Sequence, residues 1–534
     1  MTPSFKTPTP DTRLAHLTEM RPKHLQTWLE HLHLSDPQTA SAAILSSLSA
    51  LNRQPLSSDI RLKLLTLFWH TIQTQVTMLQ RQLSGSMLPL STKADAHAHL
   101  ARELLIELGH GYKLVLMDDS TSLLNFHSKP DSTPVTYQLL LIQQRVLELC
   151  YEMYTPVPIG LWQEIHQTYQ YAHALGDTQT IISETAPTTL LHAYQQILLI
   201  ALADPYHLMQ GELEQVIELA QAHAPLCEIS PHIVNMNNTN LFTLNLLIDA
   251  PPHITTRLET DTADVALLFF KTRNLIEHLL FLLAKLEAGI APTALGLTVA
   301  AAEPSFRFLL RRLIRSWGIP HLRRFNRYDN PHNDIRLRLG LRTIHALLSA
   351  THPQHERNDD NEVEITVTNV ALPEHTYHLD DNATWKILNN SAQGHALRAK
   401  TPTPTHVKVG ELIAIREHEF EPCNLCVIKW IRNIDTDTVD IGVQFLPPLA
   451  RPVRVCNPYS AIKHIQPAML FAENLALKQP NQLLVPHGIY MKNVHMDLVS
   501  DGTASILPGK LVMQTQSFDL FEFSIDADNH SNCS

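Results

Sequence analysis

The hydrophobic period of this chain changes once, at Trp317-Gly318-Ile319-Pro320. Upstream, apolar residues return at steps of three and four. Downstream, they alternate with polar ones. The first spacing builds one face of a helix and the second one face of a strand, so no single helical or all-β fold accommodates the whole chain. A glycine followed two residues on by a proline is itself a helix stop. At 534 residues, 44% of them hydrophobic and 17% charged, the chain is long enough for two or three globular domains with large cores.

From about Arg13 to Ala301 the pattern reads as helical nearly throughout. Leu190, Leu191, Tyr194, Ile197, Leu198, Ala201 and Leu202 form one buried stripe, and Leu275, Leu279, Leu282, Leu283 and Leu286 another. Prolines break the pattern at Thr155-Pro156-Val157-Pro158, Asp204-Pro205, Ala250-Pro251-Pro252 and Ala291-Pro292. No fixed repeat period emerges, so the expected form is a helical bundle or solenoid. Asp118-Asp119 has no partner that would make an acid and base pair, and this half reads as packing or protein-binding surface.

Past Pro320, Asp334 to Leu339 alternates, Leu341 to Ala350 reads as a short helix or a continuing strand, and 351–362 is polar. Val363 to Thr368, Leu412 to Ile415, Val427 to Ile431 and Val439 to Phe445 are short strand candidates, which together suggest a small antiparallel barrel. Leu483 to Val485 and Lys510 to Met513 continue in the same manner. The expected architecture is α+β and multidomain. Residues 1–12 are a loose Pro/Thr-rich tail, 13–316 an all-α bundle or solenoid, 317–455 an antiparallel β-barrel, and 456–534 a C-terminal β extension with a frayed end.

Charge is concentrated at the same junction. Between Arg307 and Arg342 stand ten arginines against Asp329 and Asp334, a local balance of +8 in a chain of net charge −11. Arg307, Arg311, Arg312 and Arg315 at helical spacing read as a solvated face. Arg323-Arg324-Phe325-Asn326-Arg327 follows the helix stop, where side chains can converge on an anion. A guanidinium grips phosphate oxygens or a guanine edge with two parallel donors.

Other chemistries lack support. The six cysteines are scattered, and Cys423-x-x-Cys426 has no second pair, so neither a disulfide framework nor a zinc site is expected. The 31 histidines form no HExxH set. There is no nucleophile elbow, Walker loop or dinucleotide fingerprint, and an enzyme is not expected. The start has no signal-peptide pattern and no run is long enough to span a bilayer, so the expected location is the cytoplasm.

Taken in order, Arg323-x-x-x-Arg327, Asn389-x-Ser391-x-x-Gly394, Val409 to Ile415, Val427-Ile428-Lys429-Trp430 and Ile441-Gly442-Val443-Gln444-Phe445 resemble the PilZ domain, the bacterial receptor module for cyclic di-GMP. The match covers roughly 320–455. The long helical half ending in a basic Trp-Gly-x-Pro segment resembles the FimW-like receptors linked to type IV pili and surface attachment. The resemblance implies cyclic di-GMP as ligand, with Arg323, Arg324 and Arg327 on its phosphates and guanines, Asn389 and Ser391 on a guanine edge, and Gly394 allowing close approach. It implies a protein partner for the helical half, recruitment to the cell pole and no bound cofactor or metal. From Arg327 to Asn389 the chain runs 62 positions, more than the family's usual few tens, and 351–370 reads as an insertion. Two alternatives stay open. One is a ligand-independent scaffold that binds only proteins. The other is nucleic-acid binding through the arginine segment, opposed by the acidic total and the few aromatics near the arginines.

Overall fold

The computed structural model describes residues 5–32, 36–83, 85–86, 88–121, 132–182, 188–231, 240–255, 267–318, 328–329, 334–351, 384–400, 407–416, 423–456, 465–475, 478–500 and 503–525. The chain forms two units, residues 1–323 with 432–436, and residues 324–431 with 437–534.

The first unit contains α1 (Pro22–His31), α2 (Pro37–Asn52), α3 (Ser58–Leu83), α4 (Thr92–Thr121), α5 (Thr133–Glu152), α6 (Leu161–Leu175), α7 (Leu190–Leu202) and α8 (Glu212–His223). Strands β1 (Glu228–Ser230), β2 (Leu241–Asn245), β3 (His253–Ile254) and β4 (Leu267–Lys271) follow, then α9 (Arg273–Glu287) and α10 (Pro304–Gly318). Local chemistry sets the starts. A proline stands in the first turn of α1, α2 and α5, where its missing N–H costs no helical bond. The hydroxyl of Thr189 caps α7 by accepting from His192 N at 3.2 Å. The expected stripe is the buried face of α7: Leu190, Tyr194, Ile197 and Leu198 are fully enclosed. Tyr194 stacks on Tyr169 of α6 with ring centroids 4.2 Å apart. The expected helix stop is also where α10 ends. There the Trp317 indole N–H donates to the Leu199 carbonyl at 2.8 Å.

Two expectations for this region are corrected. The chain is not helical throughout to Ala301: β1, β4, β2 and β3 form an antiparallel sheet in that order. Leu241-Phe242-Thr243-Leu244 is buried residue by residue. A run buried on both faces shows no alternation, so its period does not separate it from a helix. At the first of the described residues, Phe5 is buried and packs edge-on against Tyr171. Of the α10 arginines, Arg311 and Arg315 are exposed, but Arg312 is half-buried and grips Glu212 with two bonds of 3.0 and 2.9 Å. Arg312 is part of the packing rather than of a solvated face.

The second unit contains β5 (Tyr328–Asp329), β6 (Asp334–Leu339), α11 (Leu341–Thr351), β7 (Thr384–Ser391), β8 (Gly394–Lys400), β9 (Leu412–Arg416), β10 (Asn424–Asn433) and β11 (Thr438–Phe445). Strands β6, β9, β10, β11, β8 and β7 pair in a ring that the β7–β8 pairing closes, and β5 adds to β7. Six more strands follow: β12 (Arg451–Cys456), β13 (Ile465–Phe471), β14 (Gln482–Pro486), β15 (Met496–Val499), β16 (Thr503–Gln514) and β17 (Phe518–Ile525). They close a second barrel in the order β12-β13-β14-β17-β16-β15. The expected β extension is therefore a complete barrel. The strand candidate 363–368 and the tail from 526 lie outside the described residues.

The two barrels share a core. Leu341, Ile344 and Leu348 of α11 pack with Leu412 and Leu425 of the first barrel and with Met469, Phe471, Leu484, Phe518 and Leu520 of the second. Polar contacts follow the same seam. His345 Nε2 meets the Val453 carbonyl at 2.9 Å, and the Ser517 hydroxyl donates to Glu411 Oε2 at 2.8 Å. Burial raises the Glu411 carboxyl above its ordinary range.

Candidate functional site

The segment from Asn389 to Gly394 is mostly strand. β7 runs through Ser391 and β8 begins at Gly394, so the turn itself is Ala392-Gln393. What places the motif residues is a bulge. Trp385 and Ile387 pair with Ala399 and Leu397 on the buried face. The register then slips, and Asn389 pairs with Ala396 while Ser391 pairs with Gly394. In a regular strand Asn389 and Ser391 would follow Ile387 inward. The extra residue turns both outward, onto the face that carries Lys386 and Arg398.

Three rows of outward residues cross β7, β8 and β11. The first is Ser391, Gly394 and Gln444; the second Asn389, Ala396 and Gly442; the third Lys386, Arg398 and Asp440. Neighbouring outward rows are about 6.6 Å apart along the strands. Each row has its own chemistry. In the first, the Ser391 hydroxyl donates to the Gly394 carbonyl at 3.1 Å and accepts from Gln393 N at 3.4 Å, closing the hairpin. A side chain on Gly394 would stand 1.9 Å from the Val443 carbonyl oxygen. The requirement for glycine here is contact with β11. In the second row Gly442 leaves room for an aromatic ring, since a Cβ there would lie 1.8 Å from Trp430 Nε1. The half-buried indole of Trp430 therefore rests on the sheet over Gly442. In the third row Arg398 and Asp440 form a two-bond ion pair of 2.6 and 2.7 Å. Asp334 pairs with Lys386 from β6, so across four strands the row carries two bases flanked by an acid at either end.

The structure thus brings Asn389, Ser391 and Gly394 onto one outward face. Arg323, Arg324 and Arg327 lie outside the described residues. Trp430 and Gln444 were legible as motif residues but not as site residues, and the Arg398–Asp440 pair was not singled out from sequence. A signal existed: counting by twos from Gly394 reaches Ala396 and Arg398 on the same face. Cys426 is buried in β10, whereas Cys423 stands just before that strand begins. Among the described residues no group of three or more His, Cys, Asp or Glu could hold a metal ion. None of the described helices is long and apolar enough to cross a membrane.

A six-stranded closed ring with an Asn-x-Ser-x-x-Gly element on its outer face defines a PilZ-type protein. Residues 349–452 match the family described as "Cyclic-di-GMP receptor FimW, middle PilZ domain". Residues 23–232 match the N-terminal domain of that receptor and residues 453–525 its C-terminal β-barrel domain. The chain belongs to the FimW family. It is similar to the cyclic-di-GMP receptor FimW of Pseudomonas aeruginosa, at 23% identity over 97% of this chain and 93% of that protein.

Proposed function

We propose that this protein is a non-enzymatic receptor for cyclic di-GMP, with a ligand site that combines Arg323, Arg324 and Arg327 with Asn389, Ser391 and Gly394. The observation that carries this reading is the bulge that turns Asn389 and Ser391 outward, onto the face where the half-buried Trp430 indole lies against Gly442. Short amides and hydroxyls reach a guanine edge, an indole offers a stacking surface, and guanidinium groups take phosphate. The name of the similar Pseudomonas protein agrees with this ligand. In this proposal ligand binding changes the surface that the helical half offers to a protein partner, by as much as the ligand's affinity differs between two states. The setting would be type IV pilus function or surface attachment, in the cytoplasm and at the cell pole.

A second reading has one observation in its favour. The Ser391 hydroxyl already serves its own hairpin, which suits an adaptor that binds only proteins. Titration calorimetry with cyclic di-GMP separates the two. The receptor reading expects heat from the wild type and at least a tenfold loss of affinity in Arg323→Ala, as the loss of a charge-assisted bond implies. No heat, or heat that Arg323→Ala leaves unchanged, favours the adaptor.

A further inference from the structure

One exposed amide on the outward face has no role so far. Gly394 pairs with Ser391 on one side and with Gln444 on the other. Cross-strand partners share a face, so Ser391 and Gln444 rise on either side of a residue with no side chain. Strands about 4.8 Å apart place their Cα atoms roughly 10 Å from each other.

Gln444 is exposed, but its backbone is held firmly. Val443 before it is buried. Phe445 after it donates its N–H to the Gln393 carbonyl at 2.9 Å and packs edge-on against His395. A glutamine on such a strand presents its amide at a fixed place, which lowers the ordering cost of using it. The amide carries one acceptor and two donors. Guanine bears an exocyclic amine, a donor that hypoxanthine lacks at the same position.

We propose that Gln444 is a specificity-determining residue, whose carboxamide oxygen accepts a hydrogen bond from the exocyclic amine of a guanine lying beside Ser391. This rests on the cyclic di-GMP reading above. An exposed glutamine with no such role would be an ordinary solvated residue, and a ligand–variant cycle tells the two apart.

Calorimetry of the full chain with cyclic di-GMP and with cyclic di-IMP, its inosine counterpart, tests it. The wild type should bind the inosine ligand about tenfold more weakly. Gln444→Leu should bind cyclic di-GMP about tenfold more weakly and treat the two ligands alike. Gln444→Glu keeps an acceptor and should keep the preference, which covers a Leu variant that fails to fold. A wild type that binds both ligands equally overturns the proposal, as does a Leu variant that retains the preference or a Glu variant that loses it. A wild type that binds neither ligand overturns the receptor reading and this proposal with it.

Discussion

Gly394 and Gly442 stand on the same face and answer to different neighbours. A methyl at Gly394 meets backbone, the Val443 carbonyl, which moves only if β11 moves. A methyl at Gly442 meets the edge of the Trp430 indole, which can swing away. Gly394→Ala should therefore cost more stability, about 2–3 kcal/mol by the usual range for overpacking, read as a fall in melting temperature. Gly442→Ala should cost about 1 kcal/mol and red-shift the tryptophan emission as the indole leaves the sheet. Equal losses would mean that β11 is not the harder wall. The residue types at Asn389, Ser391 and Gly394 were legible as a motif. Their direction was not, because it depends on a bulge at Ile387/Asn389 that no alternation pattern marks. Trp430 escaped notice as a site residue because only the partner strand shows that its ring has a glycine to rest on.

Among the secondary-structure elements, two connections test how buried polar groups act. Asp519 at the start of β17 is completely buried and accepts from Gly488 N at 2.8 Å, Gln514 Nε2 at 3.1 Å and His487 Nδ1 at 3.2 Å. It pins the turn after β14. Asp519→Ala leaves the Gly488 N–H without its acceptor and should destabilise the unit by about 2–3 kcal/mol in denaturant unfolding. A change below half that range would show that water replaces the carboxylate. At the end of α8, His223 lies 5.0 Å from the His278 ring of α9. Burial and the neighbouring imidazole lower its pKa from 6.5 to about 4. The unfolded chain then binds a proton that the folded one refuses. This contribution is whole above pH 6.5 and is lost as pH falls toward 4. Burial lowers His166 in the same direction. Thermal melts at pH 7 and pH 5 should show the fall, and His223→Gln should flatten it; an equal slope in the variant would assign the effect elsewhere. The long helices were legible because seven apolar positions of α7 repeat in step. The short strands β2 and β4 were not, because their apolar residues run together without alternating.

For the molecule as a whole, the second unit joins two barrels through one core. Ile344 of α11 is fully buried among residues from both. Ile344→Ala should cost about 2–5 kcal/mol and speed amide exchange in strands of both barrels together. Exchange that rises in one barrel alone would show that the shared core does not couple them. The sequence could place strands in the C-terminal stretch but not close them, because β16 carries two register shifts that blur its alternation. In the proposed receptor, cyclic di-GMP settles against the outer face of β7 and β8, held by the arginine segment. Amide hydrogen exchange of the full chain, with and without saturating cyclic di-GMP, tests this most directly. The expected result is slowed exchange in peptides covering residues 384–400 and 319–330. Unchanged exchange in both segments, or protection confined to the second barrel, would contradict it.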